Sequence, residues 1–247
     1  MLTIEYIRQV AVVHMRREKV NAMSHAFCDR LISTLDEVSS SDAVAAVLIG
    51  NDRVFSAGVD LREIVTQDVD FLDSYLPLLS RCFKTVFQFP KPLVAAISGH
   101  AIAGGCVLAS ACDLRLIHAG AKIGLPELRI GVPLPSAAIE IMRFAVAPEA
   151  LRSMVNVGQT YQGEHAVMVG LADRVVGQEE MLEQSVATAE GLTVVPPNVF
   201  RLSKQQQRAP AVRNIEANES AFGDQVRSIW KSPENRKVVE AYVNERL

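Results

Sequence analysis

The sequence predicts an α/β fold: layered β-sheets covered by helices, with an all-helical C-terminal region. Three observations carry that prediction. Short runs rich in branched apolar residues, Ala43–Gly50 and Leu93–Ile97, read as strands buried on both faces. Stretches with apolar residues at helical spacing stand between them, so strands and helices alternate. From about Val195 onward only helical patterns remain. The expected division is an α/β core over residues 1–194 and a helical region over 195–247 that serves packing and oligomerisation.

In chain order, Leu2–Ile7 and Val10–Met15 read as strands paired through a turn near Arg8 and Gln9. Ser24 can cap a helix over His25–Ser39, whose Phe27, Leu31, Leu35 and Val38 fall on one stripe. After the strand at Ala43–Gly50, Val54–Gly58 ends the next one. Residues Arg62–Asp73 are charged and read as a loop: a solvated connector, or a gate over a ligand. Leu72, Leu76, Leu79, Phe83 and Val86 then mark a core-facing helix over Phe71–Phe89, which Pro90 and Pro92 end before the strand at Leu93–Ile97. Further helices are expected at Ala137–Ala145, Glu149–Val157, Gln162–Val169 and Glu179–Gly191, with a short strand at Leu171–Val176. In the C-terminal region one helix opens at Pro196–Pro197, and two more cover Ile215–Trp230 and Pro233–Leu247. Phe222, Val226, Trp230, Val239 and Tyr242 form an apolar stripe too rich for a free tail, so the chain is not expected to be a monomer.

Composition narrows the function. Hydrophobic residues make up 49% of the 247 residues and the formal net charge is −3, with no basic block of the kind that binds nucleic acid. No apolar run approaches a membrane span, and Glu5 and Arg8 interrupt the place where a signal peptide would be apolar. The four cysteines show no C-x-x-C spacing and read as buried thiols of a reducing cytoplasm. The five histidines suggest no metal cluster.

The stretch Pro92–Glu127 organises the rest. Its strand breaks at Ser98–Gly99, and a glycine pair, Gly104–Gly105, precedes a short Ala-rich helix start. A helix that opens on glycines presents unpaired N–H groups and lets a ligand approach the backbone closely. On this stretch alone, a tight turn in a packed core explains the pattern equally well.

Four segments together resemble the crotonase superfamily of enoyl-CoA hydratases and isomerases: RREKVNAM at 16–23, VFSAGVDL at 54–61, SGHAIAGGCVLASACDLRL at 98–116 and IGLPELRIGV at 123–132. The resemblance spans most of residues 1–190. VFSAGVDL, AGGC and IGL-x-E look most like the Δ3,Δ2-enoyl-CoA isomerases.

That resemblance implies the crotonase fold and an acyl-CoA substrate, whose coenzyme A leaves no further cofactor to be required. It places two backbone N–H donors for a thioester enolate on Val59 and Gly104, and a catalytic carboxylate on Glu127. Ala57, Gly58, Asp60, Leu61 and Arg62 are placed along the coenzyme A body, with Arg62 meeting a phosphate or remaining an exposed cation. Asp60 and Asp113 also read as structural acids bonded to nearby N–H groups. Apolar neighbours Leu125, Pro126 and Leu128 would raise the carboxyl pKa of Glu127. The resemblance further implies a homotrimer or homohexamer, with the helical end packed on its own core or on a neighbouring subunit.

One departure decides the reaction. Val107 lies three residues after Gly104, where hydratases of the superfamily carry a second glutamate. Valine can neither hold water nor move a proton. The expected activity is therefore isomerisation of a 3-enoyl-CoA to a 2-enoyl-CoA by a single glutamate. A hydratase-like or decarboxylase-like crotonase and a non-catalytic acyl-CoA-binding subunit are the alternatives.

Overall fold

The computed structural model describes residues 2–17 and 19–246; nothing is described for the side chains of Leu128, Arg129 and Arg246. Glu18 of the RREKVNAM segment, the apolar contribution expected of Leu128 and the last residue of the expected final helix therefore lie outside the described residues.

The two N-terminal strands, β1 (Leu2–Ile7) and β2 (Val10–Met15), pair antiparallel as their alternation and turn require. Ser24 Oγ accepts the Phe27 N–H at 3.1 Å and caps α1 (His25–Ser40). Then follow β3 (Ala45–Ile49), β4 (Val54–Ser56), α2 (Leu61–Thr66), α3 (Phe71–Phe87), β5 (Leu93–Ile97), β6 (His100–Ile102), α4 (Gly104–Ser110), β7 (Leu114–His118), β8 (Lys122–Gly124) and α5 (Glu127–Ile130). The second half adds α6 (Ser136–Ala145), α7 (Pro148–Val157), β9 (Thr160–Gln162), α8 (Gly163–Met168), β10 (Arg174–Val176), α9 (Met181–Gly191), α10 (Pro197–Lys231) and α11 (Pro233–Arg246).

Six strands form one sheet in the order β1-β2-β3-β5-β7-β10, parallel except for the β1–β2 hairpin. Its central strands are covered on both faces, which is why they read as continuous apolar runs. Ala46, Leu48, Leu93, Ala95 and Ile97 face the main core, where α1, α3 and α4 pack. Val47, Val94, Ala96 and Leu116 face the other way, toward Met181, Val186 and Ala189 of α9. The second sheet, β4-β6-β8-β9, is short, and its strands deliver the loops of the candidate site.

Three expectations change. The loop expected over residues 62–73 contains α2, because the Asp60 carboxylate accepts the Glu63 N–H at 3.1 Å and starts a helix there. The strand expected at 171–176 shortens to β10, whose pairing with β7 begins at Arg174. The two helices expected between residues 196 and 230 are one helix, α10, which continues through Pro210. Lys204 and Arg208 before the proline, and Ala211 and Ile215 after it, are all buried against the body of the chain. Those anchors hold both sides of the proline in register and offset the backbone hydrogen bond that it removes.

The helical end lies on its own chain. Lys204 Nζ and Arg208 Nη2 both reach the Asp113 carboxylate, at 2.7 and 2.8 Å, while Asp113 also accepts the Leu93 N–H at 2.8 Å. Asp113 thus has the structural use expected of it, and this buried cluster fastens α10 across the end of β5. At the other end, Arg236 of α11 donates to the carbonyls of Val65 and Gln67 at 3.0 Å each, tying α11 to the end of α2. In the apolar stripe, Trp230 and Val239 are buried, Val226 and Tyr242 are half-buried and Phe222 is exposed.

Candidate active site

The site begins where β4 runs out into Ala57–Asp60. Arg17 and residues 20–23 are sewn against this loop. Asn21 Nδ2 donates to the carbonyl of Phe55 at 3.1 Å, Ser56 Oγ to that of Asn21 at 2.8 Å, the Ala57 N–H to that of Val20 at 3.0 Å, and the Met23 N–H to that of Gly58 at 2.7 Å. Arg17 closes the arrangement by pairing with the Asp60 carboxylate at 2.8 Å. The backbone around Val59 is therefore held by several independent bonds.

Against this loop stands the start of α4. Gly58 has φ +84°, and a Cβ there would lie 2.7 Å from the Gly104 nitrogen and 2.8 Å from the Ala103 Cβ. A Cβ on Gly105 would sit 2.1 Å from the Ser56 carbonyl oxygen. Glycine at these two places lets the SAG and AGG segments meet backbone to backbone. A Cβ on Gly104 would meet only ordinary to tight contacts, 3.2 Å or more away, so the sharper demand for glycine falls on its neighbours.

That contact leaves two donors unspent. Gly104 is the first residue of α4, so its N–H has no partner within the helix. Val59 bridges to Met23 through the flanking Gly58 carbonyl and Asp60 N–H, which leaves its own N–H out of the bridge. No described residue accepts a hydrogen bond from either N–H.

A cavity of about 940 Å³ opens here. Among the residues expected at the site, Ala57, Val59, Asp60, Leu61, Arg62, Gly104, Val107 and Glu127 line it, whereas Gly58 is not one of the lining residues. Asp60 is spent on Arg17 and on capping α2, the structural use foreseen for it. Arg62 is exposed at the rim and pairs with no described residue. The rim also holds exposed Lys19 and His100, which sequence reasoning did not place there.

Glu127 opens α5, immediately after Leu125 and Pro126. It is only 8% exposed, and its Oε2 has no hydrogen-bond partner. Burial pushes its carboxyl up to about 8, a shift its own backbone N–H opposes. Among the described residues lining the cavity it is the one carboxylate without a cation. Val107 is fully buried on the same wall and brings no polar atom. No group of three or more His, Cys, Asp or Glu side chains able to hold a metal occurs among the described residues.

Sequence reasoning missed other lining residues as well, among them Leu79 and Phe83 of α3, Leu134 in the loop before α6, Ala138 of α6, Trp230 of α10 and Tyr242 of α11. Their helical spacing had marked several of them as packing residues. The same residues serve both purposes, because the core is lined up along one side of the cavity.

The chain is similar to known proteins over most of its length. The enoyl-CoA hydratase/isomerase family model matches residues 5–247. A probable enoyl-CoA hydratase of Rhizobium meliloti is 31% identical over 191 residues, which cover 76% of this chain and 74% of the relative. The crystal structure of human mitochondrial delta3-delta2-enoyl-CoA isomerase superposes with TM-score 0.92 at 23% identity, covering 98% and 96% of the two chains, a likeness of fold. A Mycobacterium tuberculosis protein, 29% identical, superposes with TM-scores of 0.85 and 0.83 in two structures, one naming it a probable enoyl-CoA hydratase and the other an enoyl-CoA isomerase. The two structures cover 91% and 92% of this chain, and 95% and 96% of their own. The chain belongs to the enoyl-CoA hydratase/isomerase family and has the crotonase fold.

Proposed function

We propose that this family member shifts the double bond of a 3-enoyl-CoA to the 2-position, with Glu127 as the single proton carrier. The observation that carries this reading is the lone unpaired carboxylate of the described cavity wall, facing a site where Val107 supplies no second one. The thioester carbonyl sits on the free N–H groups of Val59 and Gly104. As Glu127 takes a proton from C2, negative charge develops on the thioester oxygen and the two donors stabilise it; such a donor is commonly worth ~10²–10³ in turnover. Glu127 then returns the proton to C4. A carboxyl raised to about 8 by burial is suited to both transfers near neutral pH, since the acid form predominates there and a working fraction of the base form remains.

Ala57 and Leu61 line the path of coenzyme A, Gly58 shapes the loop between them, and Arg62 at the rim meets one of its phosphates. The chemistry needs no cofactor beyond the coenzyme A of the substrate. The assembly is a homotrimer or homohexamer, in keeping with the exposed Phe222 and Ile229 on α10, and the enzyme works in the cytoplasm.

The runner-up is hydration, which the names given to the Rhizobium relative and to one mycobacterial structure favour. The test is direct: mix the protein with a 3-enoyl-CoA and follow the ultraviolet absorbance of the conjugated 2-enoyl thioester. Formation of that product by the native protein, lost by ~10²–10⁴ in Glu127→Gln, supports the reading. A Gln variant with more than about a tenth of native activity would require another base.

A further inference from the structure

We propose that Trp230 ends the acyl channel and sets the chain length this enzyme takes, selecting medium-chain acyl-CoA. The inference rests on reading the cavity as an acyl-CoA site and goes beyond it by naming the acyl class and the residue that limits it. The cavity is polar at one side and apolar at the other. Lys19, Arg62 and His100 stand exposed at the rim, whereas Leu79, Phe83, Ala138 and Trp230 are buried along the wall. None of those four wall residues carries a charge, and about 940 Å³ lies near the upper end of the ~300–1,000 Å³ usual for small-molecule sites. A four-carbon acyl group has too few methylenes to cover such a wall.

Trp230 is special within that wall because it has two sides. One lines the cavity. The other lines a space of only about 10 Å³, shared with Ile64, Val65, Val69, Leu72, Val239 and Arg236, which is essentially filled. The indole is thus the partition between the acyl channel and an apolar cluster of α2, α3 and α11. Its Nε1–H donates to the Pro133 carbonyl at 3.0 Å, which fixes the ring against the loop before α6. Removing the indole would join the two spaces and extend the channel toward Ile64, Leu72 and Val239, with Arg236, which donates to the carbonyls of Val65 and Gln67, the one charged residue among the described lining.

The experiment is equilibrium binding of the saturated thioesters butanoyl-, octanoyl- and hexadecanoyl-CoA, on which proton transfer has no bearing. Trp230 is the single tryptophan of the chain, so its emission reports the end of the channel directly. Each methylene moved from water onto an apolar wall is worth roughly fourfold in affinity. Octanoyl-CoA is expected to change the emission and to bind at least about tenfold more tightly than butanoyl-CoA, with hexadecanoyl-CoA no tighter than octanoyl-CoA. In Trp230→Ala, followed by calorimetry, hexadecanoyl-CoA should overtake octanoyl-CoA by about tenfold or more. Octanoyl-CoA binding with unchanged native emission overturns the place given to Trp230 while leaving the acyl-CoA reading intact, as does an unaltered chain-length order in the variant. Failure of all three thioesters to bind overturns both. Should Trp230→Ala fail to fold, the native emission and the native order of affinities decide.

Discussion

Replacing Glu127 with Gln keeps the shape of the side chain and removes its proton. The effect on stability can be worked from the structure. The carboxyl titrates near 4.5 in ordinary surroundings and at about 8 when folded. Between those values the folded chain holds a proton that the unfolded chain has released. The unfolded state then binds fewer protons, so native stability falls as pH rises, by about 1.4 kcal/mol per pH unit. Below about pH 4.5 the group contributes no penalty, and above about 8 the loss is complete, at most about 5 kcal/mol. Gln carries no such dependence. The advantage of Glu127→Gln over the native protein should therefore grow by about 2 kcal/mol between pH 6 and pH 8, the slope flattening as the folded group ionises. All other titrating groups are shared, so the difference between the two proteins isolates this one. Urea unfolding of both at the two pH values, at equal protein concentration, makes the measurement. A difference that stays constant, or that shrinks as pH rises, refutes the claim that Glu127 is buried without a partner.

Asp113→Ala should strip two buried cations, Lys204 and Arg208, of their shared carboxylate and cost about 3–5 kcal/mol in denaturant unfolding; a loss under about 1 kcal/mol would mean that α10 is held by other contacts. Arg62→Ala should raise KM for the acyl-CoA at low ionic strength, with the effect shrinking in high salt. An unchanged KM at low salt returns Arg62 to the solvent. Light scattering at micromolar concentration should report a trimer or hexamer, and a mass near the 27.0 kDa of one chain contradicts that.

Much of the core was legible because its signals are local. Continuous branched runs mark strands buried on both faces, and Ser24 caps the helix its position implies. Glu127 and its apolar setting could be read from IGLPE, and the direction of its pKa follows from that setting. Strands β6, β8 and β9 have three residues each, too few for a period of two to register. Strand β7 was hidden by Arg115, a buried cation in the middle of LRLIH that is paired with Asp173 at 3.0 Å. The start of α2 did carry a signal, Asp60 three residues before Glu63, but the charges around it resembled a solvated loop. The helices expected near Pro196 and over Ile215–Trp230 are one because buried anchors on both sides of Pro210, which a local pattern does not show, carry the helix through it. Trp230 was visible in an apolar stripe, yet nothing in a helical period tells a residue that fills a core from one that walls a cavity. That distinction depends on what faces the stripe from distant α3 and α6.

The central claim is that one carboxylate serves this site. The most direct measurement offers the native protein two substrates side by side, a 3-enoyl-CoA and crotonyl-CoA, and follows the conjugated thioester absorbance in each. With Val107 in place of an acid, the account predicts that absorbance appears from the 3-enoyl-CoA and persists with crotonyl-CoA. Rapid loss of the crotonyl-CoA absorbance through hydration would contradict it, whether or not the 3-enoyl-CoA is also isomerised.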